Sequence, residues 1–307
     1  MSIPPASAQP SPFRCTPGSR ADAEPMVGTA PTDTRYLLLE YAGAWGKKAV
    51  ADSRLPDDVK TALAGLSAAG VNVMLVRRHG GRTAEGVRVF TVEVTPTDAH
   101  VRGAMLADVS VLLSLDLETF AATGVLTGLE PWERDLHLVC TNGSRDLCCA
   151  ELGRPVAAAV SARWPAETWE CTHLGGHRFS ATLLSFPSAI CLGRLDAESA
   201  VMALEEIEVG RHPLGFSRGR AGLSGAAQVA QVHVMEMTGL DDLGDVLVLE
   251  ESHGVVRLLA QAPGSEGAQV EWQVGVRSVK VPRRQSCGDS PFKPATSYEV
   301  IAAGPVG

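Results

Sequence analysis

The feature that most restricts the fold is an apolar run, an amphipathic segment and a second apolar run near the start of the chain. Residues 36–41 form an apolar run of strand length, and residues 56–69 carry apolar side chains at helical spacing. The amphipathic segment stops at Gly70, a residue typical of helix C-termini. Residues 71–76 are the next predicted strand, and alternating valines predict another over residues 87–94. This order predicts an α/β fold, with a sheet covered by helices.

A similar order of elements restarts near residue 135. Residues 136–139 predict a short strand, and residues 149–163 predict a helix rich in Ala and Val. Further strands are predicted over residues 169–171 and 181–185. No sequence repeat of fixed period accompanies this second layer.

The rest of the chain predicts two helices followed by several strands. The helices run from Asp196 to about Gly210 and from about Ser224 to Thr238, and strands follow near residues 246–250, 255–259, 270–274 and 279–281, before a loop that contains Cys287. The first residues are rich in Pro, Ser, Ala and Thr, which is typical of a disordered segment. We therefore expect a disordered leader over 1–33, an N-terminal α/β region over 34–133, a second α/β region over 134–195 and a C-terminal α+β region over 196–307.

Charge and hydropathy argue against two classes of partner. The chain has 27 basic and 35 acidic side chains and a net charge of −8, without the basic stripe that binds phosphates, so we expect no nucleic-acid partner. We also expect no membrane partner, because there is no run of about 18 apolar residues. The N-terminus lacks a charged segment followed by an apolar one, which predicts a cytoplasmic protein.

Four candidate metal ligands lie close together in the sequence: Cys140, Cys149, His173 and His177. Cys140 ends a predicted strand and Cys149 begins a predicted helix, so the loop between them can fold back and bring the sulfurs together. The histidines flank two glycines, which disfavour a helix and let the backbone curl until both imidazoles converge. Two thiolates and two imidazoles satisfy either a tetrahedral zinc ion or a Rieske-like [2Fe-2S] centre, and spacing alone does not distinguish them.

The other cysteines give weaker signals. The count of seven is odd, which argues against a disulfide framework in a chain of this length. Cys148 is interpreted as a packed neighbour of Cys149 or as a second-choice ligand. Cys171 is predicted to be a core residue of the preceding strand. The three remaining cysteines have no partners at a spacing typical of metal sites, and these are Cys15, Cys191 and Cys287.

Around these residues the chain resembles the sucrase/ferredoxin-like family. The segments that carry the resemblance are Cys140–Cys149 (CTNGSRDLCC), Gly153–Pro155 (GRP), Thr172–Phe179 (THLGGHRF) and Leu192–Arg194 (LGR). Weaker similarity extends through most of the chain, and it includes Gly43–Gly46, Arg218–Arg220 and Ser286–Gly288.

The resemblance implies thioredoxin-like α/β layers, two in tandem, and a [2Fe-2S] cluster in the second. It also implies that Cys140 and Cys149 are the thiolate ligands and that His173 and His177 are the imidazole ligands. Many members of the family read Cys-Thr-His-Gly at the start of the loop, whereas this chain has Asn142 at the third position. That departure leaves the four ligands untouched. The word "sucrase" finds no support, because no pair of carboxylates is placed for glycoside cleavage.

The resulting hypothesis is one-electron transfer with a redox partner protein, which favours an electron carrier or redox protein over a hydrolase and leaves open whether the chain is an enzyme. Because neutral imidazole donates less negative charge than thiolate, the potential should exceed that of an all-cysteine cluster. A structural zinc module that uses the same four ligands is the alternative. A thiol redox enzyme that uses adjacent Cys148 and Cys149 is disfavoured, because thioredoxin-type catalysis uses C-x-x-C.

Several charged neighbours could support this site. Arg145 and Arg178 could offset cluster charge, and Asp146 could orient an imidazole or cap the helix that follows, although ordinary loop solvation is an equal alternative. Arg218 and Arg220 could bind an anionic group, but the sequence favours a solvated loop for both.

Overall fold

Two β-sheets and the helices packed on them make up the described part of the chain. The structure is a computed structural model that describes residues 13–81, 85–262, 268–289 and 291–306. These residues form a mixed ten-stranded sheet and a separate four-stranded antiparallel sheet near the C-terminus. The predicted α/β class and the smaller α+β C-terminal region are confirmed.

The helices and strands alternate through the first two thirds of the chain. The helices are α1 (Cys15–Ala21), α2 (Asp57–Ala68), α3 (Leu117–Thr123), α4 (Leu147–Arg163), α5 (Ala197–Glu208) and α6 (Gly225–Thr238). The strands of the large sheet are β1 (Arg35–Glu40), β2 (Asn72–Arg77), β3 (Val87–Val94), β4 (Ala99–Leu106), β5 (Glu130–Pro131), β6 (Leu136–Cys140), β7 (Thr168–Cys171), β8 (Leu183–Phe186), β9 (Ile190–Leu192) and β10 (Ser217–Arg220). The small sheet contains β11 (Val246–Ser252), β12 (Val255–Gln261), β13 (Gln269–Arg283) and β14 (Lys293–Pro305).

The large sheet contains the same topology twice. In the first half, β1 is parallel to β2 and antiparallel to β3, and the order is β2-β1-β3-β4. In the second half, β6 is parallel to β7 and antiparallel to β8, and the order is β7-β6-β8-β9. Helices α2 and α4 form the crossovers between the parallel strands. The two tandem thioredoxin-like layers are therefore confirmed, and an antiparallel pair of β2 and β7 joins them into one sheet.

Strands β1, β6, β7 and β8 in the large sheet are buried on both faces, as strands covered on both sides must be, whereas β4 and β5 at its edge are partly exposed. Tyr36 and Leu38 of β1 pack in a cluster that also contains Cys140, whereas Leu37 and Leu39 pack in a second cluster against α2 and α3. The alternation follows from the two-residue period of a strand. A third cluster lies between α4, α5 and the strands of the second half.

The C-terminal region packs α6 against the small sheet. Ala230 and Val234 of α6 lie in a cluster with Val256 and Val274 of the sheet. The strands predicted near residues 270–274 and 279–281 are one continuous strand, β13, which pairs with β14 in a long hairpin. The loop between β13 and β14 carries Cys287, as predicted.

The N-terminal segment differs from the prediction of a disordered leader over residues 1–33. Helix α1 lies within that segment, and Cys15 at its start is completely buried. The part of the predicted leader before residue 13 lies outside the described residues. Strand β10 comes from the predicted C-terminal region but pairs with β9 in the large sheet. The predicted region boundaries at residues 133 and 195 stay predictions.

None of the helices in the described ranges has the length and apolar composition that crossing a bilayer requires.

Helix α4 approaches β6 closely because Gly153 has no side chain. A Cβ atom at this position would overlap the backbone carbonyl oxygen of Cys140. Backbone atoms cannot move aside as a flexible side chain can, so the helix would have to shift away from the strand. Gly153 therefore sets the distance between the two elements that carry Cys140 and Cys149.

We predict that Gly153→Ala lowers the free energy of unfolding by about 1–3 kcal/mol, the usual cost of overpacking. Gly65→Ala in α2 is the matched control, because an added Cβ there meets no heavy atom within 4 Å. The control should raise stability by about 0.4–1 kcal/mol, since alanine restricts the unfolded chain. Urea denaturation of both variants measures the difference. Equal effects at the two positions would contradict the close approach of α4 to β6.

Candidate metal centre

The loop from Cys140 to Cys149 folds back on itself, as its position between a strand and a helix predicts. The Asn142 side-chain oxygen accepts hydrogen bonds from the backbone N–H of Ser144 at 3.1 Å and of Arg145 at 3.3 Å. The Asn142 amide group donates to the carbonyl of Gly46 at 3.1 Å. Asp146 then caps α4, because its Oδ1 accepts the N–H of Cys148 at 3.0 Å. The capping role predicted for Asp146 is confirmed.

Cys140 and Cys149 lie in the same buried apolar cluster. A hydrogen bond with Cys149 is the largest of the effects that hold the pKa of Cys140 well below its usual value, with Cys171 and His173 contributing further hydrogen bonds. Hydrogen bonding with Cys140 raises the pKa of Cys149, as does burial. The pair therefore favours one thiolate and one thiol in a site with almost no solvent exposure. Ser180 Oγ lies 3.5 Å from Cys149 Sγ and donates to it.

The histidine loop has the backbone that its glycines predict. Gly175 and Gly176 adopt φ angles of 69° and 60°, in the left-handed region that favours glycine. The loop curls so that the ring centroids of His173 and His177 lie 6.0 Å apart. Nδ1 of each ring is buried and has no hydrogen-bond partner among the described residues. A buried polar atom without a partner is costly, so both nitrogens are suited to bind a group that the protein chain does not supply.

The second nitrogen of His177 has a partner. Nε2 lies 2.8 Å from the hydroxyl oxygen of Ser286, in the loop between β13 and β14, and 3.9 Å from Oδ2 of Asp146. Burial lowers the pKa of His177 below its usual value. The neutral form with a proton on Nε2 donates to Ser286 and leaves the Nδ1 lone pair available.

Arg218 stabilises the histidine loop through hydrogen bonds. Its guanidinium donates to the carbonyl of Gly175 at 3.1 Å and to the hydroxyl and carbonyl oxygens of Thr29. Only 1% of Arg218 is exposed, and burial is the main cause that lowers its pKa, while the charges of Cys191, Cys140 and Cys149 act to raise it. The prediction of a solvated loop was wrong, because Arg218 is buried and its positive charge interacts with Cys191, Cys140 and Cys149.

Arg220 is also buried, which corrects the same prediction. Its guanidinium donates to the carbonyls of Thr95 and Asp98 at 2.8 and 2.9 Å. Of the other charged neighbours, Arg178 pairs with Glu24 at 2.8 Å and Arg145 is exposed. Arg178 is thus held by a carboxylate outside the two ligand loops.

A second group of donors lies beside the first: Cys15, Asp146, Cys148 and Cys287, here called the thiol–carboxylate group. Their ligand atoms all lie within 4.8 Å of one another, and together they could bind a metal ion. Cys287 Sγ lies 3.3 Å from Cys148 Sγ and 3.6 Å from Cys15 Sγ. Cys15 Sγ lies 3.3 Å from Asp146 Oδ1. Hydrogen bonding with Cys15 is the main cause that lowers the pKa of Cys148, to about 5.

Cys15 and Cys287 contact each other and share a donor group, although their spacing in the sequence predicted no partner for either. They are 272 residues apart, and neither periodicity nor local spacing reports a contact over that separation. Cys148 lies in this group, although it had been interpreted as a packed neighbour or a second-choice ligand. Cys171 is a fully buried core residue, as predicted, and is paired in register with Cys140.

His173 also lines a surface cleft with several positive charges, here called the basic cleft. The cleft lies between α2 and the loop that follows β6. The charged side chains along it are Lys47, Lys48, Asp57, Lys60 and Arg145. The local charge is therefore positive, although the chain as a whole carries −8.

The chain matches a protein-family model over much of its length. The family model described as sucrase/ferredoxin-like matches residues 26–213, which is more than half of the 307 residues. No curated protein and no solved structure matches the chain. The matched segment contains the cysteine loop, the histidine loop and both thioredoxin-like layers. The chain belongs to the sucrase/ferredoxin-like family.

Proposed function

We propose that the protein transfers single electrons through a [2Fe-2S] cluster held by Cys140, Cys149, His173 and His177. The observation that carries this proposal is that Nδ1 of each histidine is buried without a hydrogen-bond partner among the described residues, while hydrogen bonding holds the pKa of buried Cys140 well below its usual value. Thiolate and neutral imidazole are the donors that a Rieske-like centre requires.

Protonation states support the same ligand set. Because burial lowers the pKa of His177, its imidazole is neutral near pH 7 and its lone pair is available. Asp146 Oδ2, 3.9 Å from Nε2, favours the tautomer with its proton on Nε2, where the hydroxyl of Ser286 accepts it, and that tautomer leaves the Nδ1 lone pair available. Hydrogen bonding lowers the pKa of Cys140, which favours the thiolate that binds metal.

The surrounding residues would set the properties of the centre. A bound cluster supplies one-electron oxidation and reduction. The buried guanidinium of Arg218 offsets negative charge at the thiolates, and Ser180 donates a hydrogen bond to the Cys149 sulfur. Both interactions stabilise added negative charge, so both raise the reduction potential. The apolar cluster around Cys140 and Cys149 excludes water from the sulfur side.

We predict that the wild-type protein, reconstituted anaerobically with iron and sulfide, is red-brown and contains about two irons and two acid-labile sulfides per chain. Cys140→Ala and Cys149→Ala should each abolish the visible absorption, because each removes a thiolate ligand. Cys191→Ala is the matched control, since Cys191 is a buried core thiol outside both donor groups, and it should retain the cluster.

Metal analysis and visible absorption measure these outcomes. A colourless wild-type protein with one zinc that Cys140→Ala removes would establish the structural zinc alternative. Equal loss of iron in all three variants would show that the substitutions remove the cluster by disrupting the fold. That result would contradict the proposed ligand set.

We further propose that the redox partner docks at the basic cleft with an acidic surface. His173 lines this cleft, so the histidine side of the site is the side nearest solvent. Positive charges around such an edge attract a negatively charged partner and accelerate its encounter. The acidic remainder of the chain would repel the same partner and limit docking elsewhere.

Lys47→Glu combined with Lys48→Glu should slow the oxidation of the reduced protein by ferricyanide roughly tenfold at low ionic strength. Ferricyanide stands in for an acidic partner. Arg277→Glu combined with Lys280→Glu is the matched control, because it changes the net charge equally on exposed positions of the small sheet. Stopped-flow kinetics should show a smaller effect in the control and a difference that shrinks with salt. Equal slowing in both double variants would exclude a docking role for the cleft.

A further inference from the structure

We propose that the thiol–carboxylate group is a second metal site, which binds one zinc ion through the sulfurs of Cys15, Cys148 and Cys287 and a carboxylate oxygen of Asp146. The site is separate from the Cys/His ligand set, since it shares no ligand with it. Zinc is the cation that this donor set fits best, because three thiolates and one carboxylate favour a borderline-soft ion with tetrahedral coordination.

Three of the six distances within the group are close to the edges of a tetrahedron, and all six are within 4.8 Å. With Zn–S bonds of about 2.3 Å and a Zn–O bond of about 2.0 Å, neighbouring sulfurs are about 3.8 Å apart and a sulfur and an oxygen about 3.5 Å apart. The observed sulfur–sulfur distances are 3.3 and 3.6 Å, and the distance from Cys15 Sγ to Asp146 Oδ1 is 3.3 Å. These three distances differ from the tetrahedral edges by a few tenths of an ångström.

A disulfide accounts for the group less well. A bond between Cys148 and Cys287 would use two of the three sulfurs and leave Cys15 in contact with it. It would also leave the buried carboxylate of Asp146 3.3 Å from the sulfur of Cys15, where the backbone N–H groups of Cys148 and Cys287 donate to it. Arg14 lies against Cys287, but its guanidinium is already paired with Glu151 at 2.7 Å. A divalent cation would bind all four donors at once and offset part of their negative charge.

Backbone hydrogen bonds hold the donors in place. Asp146 Oδ2 accepts the N–H of Cys287 at 2.8 Å, and Asp146 Oδ1 accepts the N–H of Cys148. The N–H of Cys15 points to Cys287 Sγ at 3.5 Å. Such bonds orient metal ligands before the ion arrives, as the partners of ligands do in established sites.

Zinc at this position would fasten three distant segments together: α1, the start of α4 and the loop between β13 and β14. Asp146 and Cys148 lie within the family match over residues 26–213, and Cys15 and Cys287 lie outside it. Ser286 precedes Cys287 and bonds His177, so the ion would also hold Ser286 against the histidine loop. The site would thereby stabilise the ends of the chain on the ferredoxin-like layer.

The test is the zinc content of the full chain with its iron–sulfur cluster reconstituted, purified with a thiol reductant and dialysed against a mild chelator. We expect about one zinc per chain, which Cys15→Ala and Cys287→Ala should each remove while iron remains. The control Cys191→Ala should keep the zinc. Wild-type protein without zinc, or with a Cys148–Cys287 disulfide in its place, would overturn the proposal.

Zinc K-edge X-ray absorption of the wild-type protein covers the case in which the variants fail to fold. We expect three sulfur ligands and one oxygen ligand, with Zn–S near 2.3 Å. Two sulfurs and two nitrogens would place zinc in the Cys140, Cys149, His173 and His177 set, and would overturn both this proposal and the cluster. A cluster with iron but no zinc would overturn this proposal alone.

Discussion

The candidate site depends on the hydrogen bonds and contacts of the Asp146 carboxylate. One oxygen caps α4 through Cys148 N–H and contacts Cys15, and the other accepts the N–H of Cys287 and lies 3.9 Å from His177 Nε2. A short acidic side chain at a helix N-terminus is favourable in itself, because it satisfies a free N–H and the helix dipole. Here the same side chain also sets where the N-terminal helix and the C-terminal hairpin loop meet the cysteine loop. Both donor groups therefore share one anchor.

The duplicated sheet explains why the site lies where it does. Each thioredoxin-like half has a strand, a crossover helix and three further strands in the same order, and the antiparallel pair of β2 and β7 joins the halves. Cys140 ends the central strand of the second half, and α4 begins just after the loop. In the first half the corresponding point after β1 contains no cysteine, and α2 there lines the basic cleft next to His173. One half thus supplies the candidate ligands and the other supplies part of the surface around them.

Much of this arrangement could be predicted from local sequence. The strand and helix positions follow from hydrophobic periodicity, and the fold of the cysteine and histidine loops follows from Asp146 and the two glycines. The duplicated topology is not visible as a repeat in the sequence. The order of strands in a sheet depends on backbone hydrogen bonding and on burial of apolar side chains, and many different sequences satisfy both requirements. Arg218 was misjudged for a related reason, since a polar run such as Ser-Arg-Gly-Arg resembles a solvated loop. Its guanidinium is buried because carbonyls from distant segments, including Gly175 and Thr29, accept its hydrogen bonds. The contacts of Cys15 with Cys287 were equally hidden, because they join the two ends of the chain.

The central claim is that histidine nitrogen and cysteine sulfur bind the same pair of irons. Pulsed electron–nuclear double resonance of the reduced protein, grown with ¹⁵N-labelled histidine, tests it most directly. The account predicts two histidine nitrogens coupled to the unpaired electron in the wild-type protein, with one lost in each of His173→Cys and His177→Cys. A reduced cluster with no coupling to histidine nitrogen, or a spectrum unchanged in both variants, would contradict it.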